Sequence, residues 1–371
     1  MKLALVHDWL NNLGGAERTL IELHKIFPDA PIYTLFYDKK FKAEYLLNAE
    51  VRPSYLQKFP FINKYYKYAA LLMPSAIESF DLSDFDVVIS SSVFFSKGLV
   101  LRPKTKHICY CYSPTRQLWD LNTDYGLWTM DYGSKTGSRP SSLGYGLAKH
   151  MLRLWDRQAA DRVDEFVAIS EAVRSRIQKY YKKDAKIIYP PIPELLEGGS
   201  ERPTKKEYYL IVSRLFPHKN IDIAIDAFNK LGFELVIIGD GPCYKKLKSQ
   251  ITNHKQIRML GRLDDNTIAT YYRHAKAFIM PQEEDFGLTP LEAMSFGKPV
   301  LALHKGGALE TLREGITGEF FDDPIPEALA DGVRRLNENY RNYRIELIKS
   351  HAKQFSKETF KKEIENLVKF R

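Results

Sequence analysis

Short apolar runs, too brief for helices, recur along this chain, and each is followed by a turn and a segment of helical period. That alternation restricts the fold more than any other feature, because strands alternating with helices build parallel sheets covered on both faces. Leu3-Ala4-Leu5-Val6 is the first run, followed by a loop, Gly14-Gly15 and a helical segment over Ala16–Phe27. Val87-Val88-Ile89, Ile108-Cys109-Tyr110, Phe166-Val167-Ala168-Ile169 and Ile187-Ile188-Tyr189 continue the series until Pro190-Pro191 stops it. A second series begins at Tyr209-Leu210-Ile211-Val212 and runs through Leu235-Val236-Ile237-Ile238, Ile257-Arg258-Met259-Leu260, Ala277-Phe278-Ile279-Met280 and Val300-Leu301-Ala302. With 371 residues the chain exceeds what one core usually serves. The expected fold is α/β, with two doubly wound, Rossmann-like domains at residues 1–192 and 207–350, joined by a linker at 193–206.

Apolar residues at 44% and charged residues at 27% are ordinary for a globular chain and argue against disorder. The net charge of +9 is concentrated in part around Lys58, Lys64 and Lys67, which are interleaved with the aromatics of Phe59-Pro60-Phe61-Ile62-Asn63-Lys64-Tyr65-Tyr66-Lys67-Tyr68. Such a cluster is either a solvated face with its rings turned inward or a phosphate-attracting surface. No compact nucleic-acid motif accompanies it, so an anionic membrane surface is the expected partner and nucleic acid is not. Of three cysteines, Cys109 and Cys111 alternate on one strand and are expected to be buried thiols in a reducing compartment. No run is long enough to span a bilayer, and Met1-Lys2 leads straight into a strand. The expected location is the cytoplasm, at most docked on the inner face of the membrane.

Doubly wound sheets bind ligands beyond the carboxyl ends of their strands, so the loops there carry the functional reading. The first strand is followed by His7-Asp8-Trp9 and by Gly14-Gly15-Ala16-Glu17-Arg18, whose glycines are either a tight turn or backbone donors at a helix start. The first strand of the second half is followed by Ser213-Arg214 and Lys219, two cations suited to a diphosphate. Gly239-Asp240-Gly241-Pro242 and Gly306-Gly307-Ala308-Leu309-Glu310 are further turns on the same rim, but a Walker loop and the full dinucleotide fingerprint are both missing. An ATPase or a dehydrogenase therefore reads poorly. Glu284 and Glu292 frame Asp285-Phe286-Gly287-Leu288-Thr289-Pro290-Leu291. Glu292 reads two ways: as third helical residue of a capping box with Thr289 as N-cap and Pro290 first in the helix, or as a ligand group beside the N–H groups of a helix start. Asp84-Phe85-Asp86 has metal-ligand spacing but precedes its strand, away from the crevice, so no metal is expected.

These motifs, in this order, resemble the retaining family 4 glycosyltransferases of the GT-B fold, in the branch of WbaZ-like mannosyltransferases. The resemblance rests on Gly14-Gly15-Ala16-Glu17-Arg18, Tyr110-Cys111-Tyr112-Ser113-Pro114-Thr115-Arg116, Ile188-Tyr189-Pro190-Pro191, Ser213-Arg214-Leu215 with Lys219, and above all Glu284 through Glu292. It implies two Rossmann-like domains facing each other across a cleft, the first for the acceptor, the second for the nucleotide sugar, with a last helix over 351–371 crossing back onto the first. It further implies Arg214 and Lys219 on the diphosphate, Glu292 on the ribose, Glu284 at the donor sugar, and backbone donors of Phe286, Gly287 and Leu288 at its hydroxyls and phosphate. Gly261, Arg262 and Leu263 would lie by the base, Gly14 and Gly15 by the donor phosphates, and Arg116 and Trp9 on the acceptor side.

The sequence departs from the family at Tyr112, where many relatives carry histidine near the reacting sugar. A phenol with a pKa near 10 is a poor base at neutral pH. In the family's mechanism the departing phosphate takes the acceptor's proton, which leaves room for activity without that histidine. The expected reaction moves a hexose, first mannose from GDP-mannose, to a glycan or lipid-linked saccharide acceptor in cell-surface polysaccharide assembly, without cofactor or metal. A nucleotide-sugar epimerase of the same fold and a catalytically silent glycan-binding subunit are the alternatives.

Overall fold

A computed structural model describes residues 1–119, 143–195 and 207–369, so residues 196–206 of the expected linker lie outside the described residues. The chain divides into two compact units, one formed by Met1–Pro191 with Lys357–Arg371, the other by Ile192–Ser356.

The first unit holds a parallel sheet of strands β1 (Leu3–His7), β2 (Ile32–Thr34), β3 (Val51–Pro53), β4 (Val87–Ser92), β5 (Lys106–Cys111), β6 (Glu165–Ala168) and β7 (Ala185–Ile187), in the order β3-β2-β1-β4-β5-β6-β7. Central strands β1 and β4 are buried along their whole length, which is why both open on apolar runs without alternation, Leu3-Ala4-Leu5-Val6 and Val87-Val88-Ile89, before ending in the buried polar residues His7 and Ser90-Ser91-Ser92. They pair from Leu3 against Val87 to His7 against Ser91. At the amino end the Asp86 carboxylate accepts the Lys2 N–H at 2.8 Å, so this residue of the Asp84–Asp86 pair fastens a strand entry. The sequence reading omits β2 and β3 because Ile32-Tyr33-Thr34 and Val51-Arg52-Pro53 contain no apolar run, and β3 ends in Pro53, a residue confined to sheet edges. Cys109 and Cys111 are free and buried, as their alternation predicts. The final helix, Lys357–Lys369, belongs to this unit and buries Phe360, Ile364, Leu367 and Val368. Phe360 meets the Tyr110 ring edge-on at 5.9 Å, and Lys357 pairs with Glu22 at 3.4 Å.

Beneath the loop that follows β5 lies an ion pair removed from water. Lys97 Nζ stands 2.6 Å from Asp156 Oδ1, with side chains only 2% and 1% exposed. Asp156 also accepts from Thr115 Oγ1 at 2.8 Å, Trp119 Nε1 at 2.7 Å and Tyr181 Oη at 2.8 Å. A buried charge is tolerable only when paired and fully hydrogen-bonded, and here those requirements hold the Thr115–Trp119 segment to the helix Leu143–Asp161.

The second unit carries β8 (Tyr208–Val212), β9 (Glu234–Ile238), β10 (Ile257–Met259), β11 (Ala277–Met280), β12 (Val300–Leu303) and β13 (Gly318–Phe321), in the order β10-β9-β8-β11-β12-β13. All its pairings are parallel. Its core alternates strand residues such as Leu210, Val236 and Ile279 with the buried faces of helices Ile221–Leu231 and Pro326–Glu338. Among the described residues no helix is long and apolar enough to cross a membrane.

Replacing Lys97 with methionine leaves the Asp156 charge buried without its cation. The expected loss is about 3 kcal/mol in urea unfolding, and an unchanged midpoint would show that the pair contributes nothing net.

Candidate functional site

In both sheets the first strand of the unit lies between neighbours whose connections run in opposite directions. The reversal falls between β8 and β11 in the second unit and between β1 and β4 in the first. Helices leave such a point toward opposite faces and open a crevice at the carboxyl ends of the strands.

In the second unit the loops after β8 and β11 are bonded to each other. Lys219, buried at the end of the tight turn Pro217–Lys219, forms an ion pair with Glu284, and Gln282 Nε2 donates to the same carboxylate oxygen at 2.7 Å. Burial alone would raise the Glu284 pKa, but the charge of Lys219, the hydrogen bonds from Gln282 and Lys219, and His218 bring it down to about 2. Asn220 Nδ2 adds a bond to the Pro281 carbonyl at 3.1 Å. From the β12 side, the Gly307 N–H donates to the Glu284 carbonyl at 2.9 Å. The Glu284 backbone and carboxylate are therefore fixed from two different strands.

Just beyond, Gly287 adopts φ 95°, a left-handed conformation that suits glycine, and it caps the helix Leu288–Ser295. The capping-box expectation fails here. The helix starts one residue before Thr289, because the turn at Gly287 already reverses the chain, and Pro290 becomes its third residue, where a missing N–H goes unnoticed. Glu292 consequently lies beyond the first turn, and its carboxylate accepts the Tyr272 hydroxyl at 2.9 Å. Phe286 is buried and packs edge-on against Phe355 at 5.7 Å. Arg214 is exposed, with its guanidinium over the Phe216 ring at 5.4 Å. Its loop is braced by Gly239, where a Cβ would lie 1.8 Å from the Ser213 carbonyl oxygen. Gly239 in turn donates to the Gly261 carbonyl at 2.8 Å. Gly261, exposed Arg262 and half-buried Leu263 follow the end of β10.

In the first unit the reversal is closed by groups to which the sequence reading assigns no role. The Asp8 carboxylate accepts the backbone N–H groups of Val93, Phe94, Phe95 and Ser96 at 2.6 to 3.0 Å, so the loop after β4 wraps an anion supplied by the loop after β1. His7 Nδ1 lies 2.9 Å from the Ser91 carbonyl oxygen, and Nε2 lies 3.4 Å from Glu17 Oε1. Both nitrogens face acceptors, which calls for a protonated ring. Burial opposes that charge, but the hydrogen bond and charge of Glu17, with help from Asp8 and Ser91, outweigh it and raise the pKa above its ordinary value. Glu17 Oε2 also accepts the Gly14 N–H at 2.8 Å, leaving Gly15 as the exposed residue of the glycine pair. Tyr112 is buried, donates its hydroxyl to the Ala16 carbonyl at 3.0 Å and meets Ser91 Oγ at 3.0 Å. Burial pushes its pKa further up, so it serves as an anchor for the glycine turn and not as a base. Trp9 stacks on Phe36 at 6.0 Å and Phe94 at 5.1 Å, and half-buried Arg116 opens the short helix Arg116–Trp119. The available signal was the polar pair His7-Asp8 ending an apolar strand. Among the described residues no group of three or more His, Cys, Asp or Glu side chains is placed to hold a metal ion.

Residues 13–194 match the family described as Glycosyltransferase Family 4, and residues 194–359 match Glycosyl transferases group 1. The chain carries the two domains of a family 4 glycosyltransferase. This glycosyltransferase is 29% identical to the uncharacterized glycosyltransferase MJ1178 of Methanocaldococcus jannaschii, over 55% of its own length and 59% of that protein's. It is 24% identical to the alpha-1,3/1,6-mannosyltransferase ALG2 of Candida glabrata, over 100% of this chain and 93% of that one. In fold it is similar to Anabaena Alr3699/HepE, solved in complex with UDP, with a TM-score of 0.71, 19% identity and 99% of both chains covered. The two Rossmann-like sheets are those of the GT-B fold.

The glycosyltransferase's His7 should leave a pH signature. A pKa raised above the unfolded value near 6.5 stabilises fully below that value and ceases to do so as pH rises through the folded value. In unfolding experiments the stability gap between wild type and His7→Gln should therefore be widest near about pH 6 and narrow by about pH 9. A gap independent of pH would mean that the ring is neutral.

Proposed function

We propose that this glycosyltransferase moves a hexose from a nucleotide sugar to a glycan or lipid-linked saccharide acceptor, with retention of anomeric configuration, in polysaccharide assembly. The observation that carries the reading is the Lys219–Glu284 pair, which joins the loops after β8 and β11 at the point where doubly wound sheets take nucleotides. An ammonium has three donors, so Lys219 can hold Glu284 and still present N–H groups to a phosphate. In this reading exposed Arg214 adds a second cation, the two stand in for the charge a metal ion supplies elsewhere, and no metal is needed. Glu284, kept ionised, accepts from the donor sugar's hydroxyls, with Phe286, Gly287 and Leu288 supplying backbone N–H groups. Glu292 takes the ribose, and Gly261, Arg262 and Leu263 flank the base. Arg116 and Trp9 serve the acceptor. The bond between the anomeric carbon and the phosphate oxygen breaks, the acceptor oxygen bonds the same face, and the departing phosphate takes the acceptor's proton. Tyr112 has no step in this scheme, in keeping with its hydrogen bonds to Ala16 and Ser91.

Mannose is the preferred sugar and GDP-mannose the preferred donor. The support is the resemblance to WbaZ-like enzymes and the similarity to a protein named as a mannosyltransferase. The protein is read as acting at the inner face of the membrane. Purified protein incubated with GDP-mannose, UDP-glucose and UDP-galactose, with and without a lipid-linked acceptor, tests the proposal. Acceptor-dependent release of GDP supports it. Epimerised sugar nucleotide, or donor binding without turnover, overturns it.

Glu292 separates binding from stability. Glu292→Ala should weaken donor binding at least about tenfold, against about 1 kcal/mol of stability for the loss of the Tyr272 hydrogen bond. Glu292→Gln, which still accepts from Tyr272, should restore stability more than affinity. Calorimetric donor titration beside thermal unfolding gives both quantities, and equal donor affinity in all three proteins would leave Glu292 a purely structural residue.

A further inference from the structure

Between Glu50 and Glu78 the chain has no acidic residue, while Arg52, Lys58, Lys64 and Lys67 are cationic. Over this stretch it forms the short helical turns Tyr55–Lys58, Ile62–Tyr65 and Tyr66–Ala69. One side is sunk in the first unit's core, with Leu56, Ile62 and Met73 at 0%, 6% and 1% exposure. The other side shows Phe59 at 47%, Phe61 at 76%, Tyr65 at 49%, Tyr68 at 77%, Leu71 at 49% and Leu72 at 44%. Phe61 sits at the tip with φ 57°, a left-handed conformation that a bulky side chain seldom adopts. A large ring held outward in an unfavourable backbone conformation points to something that receives it.

The place of this segment in the fold is as informative as its composition. Tyr66 packs on Trp9 at 5.1 Å and on Phe36 at 5.6 Å, and Asn63 Nδ2 donates to the Tyr37 carbonyl at 3.3 Å. Trp9 follows β1, Phe36 and Tyr37 follow β2, and Phe94, against which Trp9 also stacks, follows β4. The segment therefore rides on the carboxyl-end rim of the first sheet, in contact with the same loops that hold His7, Asp8 and Trp9.

We infer that Tyr55–Leu72 is an interfacial anchor: its exposed rings and leucines enter the headgroup layer of an anionic bilayer while Lys58, Lys64 and Lys67 meet lipid phosphates, bringing the acceptor rim to the membrane surface. It deepens the proposed function, on whose lipid-linked acceptor it rests. Aromatic and leucine side chains suit the boundary between headgroups and acyl chains, and clustered cations add attraction to anionic lipid within a Debye length. The unbroken positive charge is what favours a bilayer over a second copy of this chain, whose identical patch would repel it.

Flotation of the whole protein with phosphatidylcholine vesicles, with and without phosphatidylglycerol, tests the anchor in the absence of any donor. Wild type should float with phosphatidylglycerol vesicles and lose binding as salt rises. Phe61→Asn/Tyr68→Ser, which keeps a left-handed-tolerant residue at the tip, should bind at least about tenfold more weakly. Lys64→Gln/Lys67→Gln should remove the preference for anionic lipid. Wild type that stays with the soluble fraction, a double aromatic variant that floats like wild type, or self-association through the patch without vesicle binding would each overturn the anchor. Nucleotide release with a water-soluble acceptor keeps the two readings apart: release at wild-type rate by a protein that does not float sinks the anchor alone, and flotation without release sinks the transferase alone.

Discussion

Everything at the candidate site depends on one topological constraint, the reversal of strand order beside the first strand of each sheet. At that point the covering helices part, and backbone groups at the strand ends lose the partners they have elsewhere. The protein meets the constraint with charge in both units. In the first, the Asp8 carboxylate collects the N–H groups of Val93 to Ser96. In the second, Lys219 and Glu284 join across the gap. These groups stabilise the loops and also set up a polar, partly buried surface in each, where an interaction with phosphate or hydroxyl is less diluted by water than at an open surface.

The contrast between the two units follows from how much charge remains available. Asp8 is buried and taken up by four backbone donors, so it organises its loop and adds to the field on His7 but offers no cation to a ligand. Lys219 has donors left after binding Glu284, and Arg214 projects into solvent above Phe216. At its strand ends the second unit therefore keeps cationic donors, and it is there that the proposed function puts the nucleotide sugar.

The long buried strands were legible because their apolar runs have no other explanation in a chain of this polarity, and the loops that follow them could be placed on the right ends. Strands β2, β3 and β13 were not, since three or four residues of mixed character carry no period. The helix start at Gly287 was misread for a related reason. Thr289-Pro290 satisfies a local capping rule, whereas the actual start is set by a glycine conformation that is fixed by tertiary packing. The roles of His7, Glu17 and Ser91 were not legible, because they come from side-chain contacts such as that of His7 with Ser91 on the neighbouring strand.

Tyr112 shows what such contacts mean for change over time. Its hydroxyl is tied to Ala16, to Ser91 and through Ser91 to the His7–Glu17 pair. Histidine at that position would leave the Ala16 carbonyl and Ser91 to find new partners, so a single exchange of tyrosine for histidine disturbs contacts that reach as far as the His7–Glu17 pair.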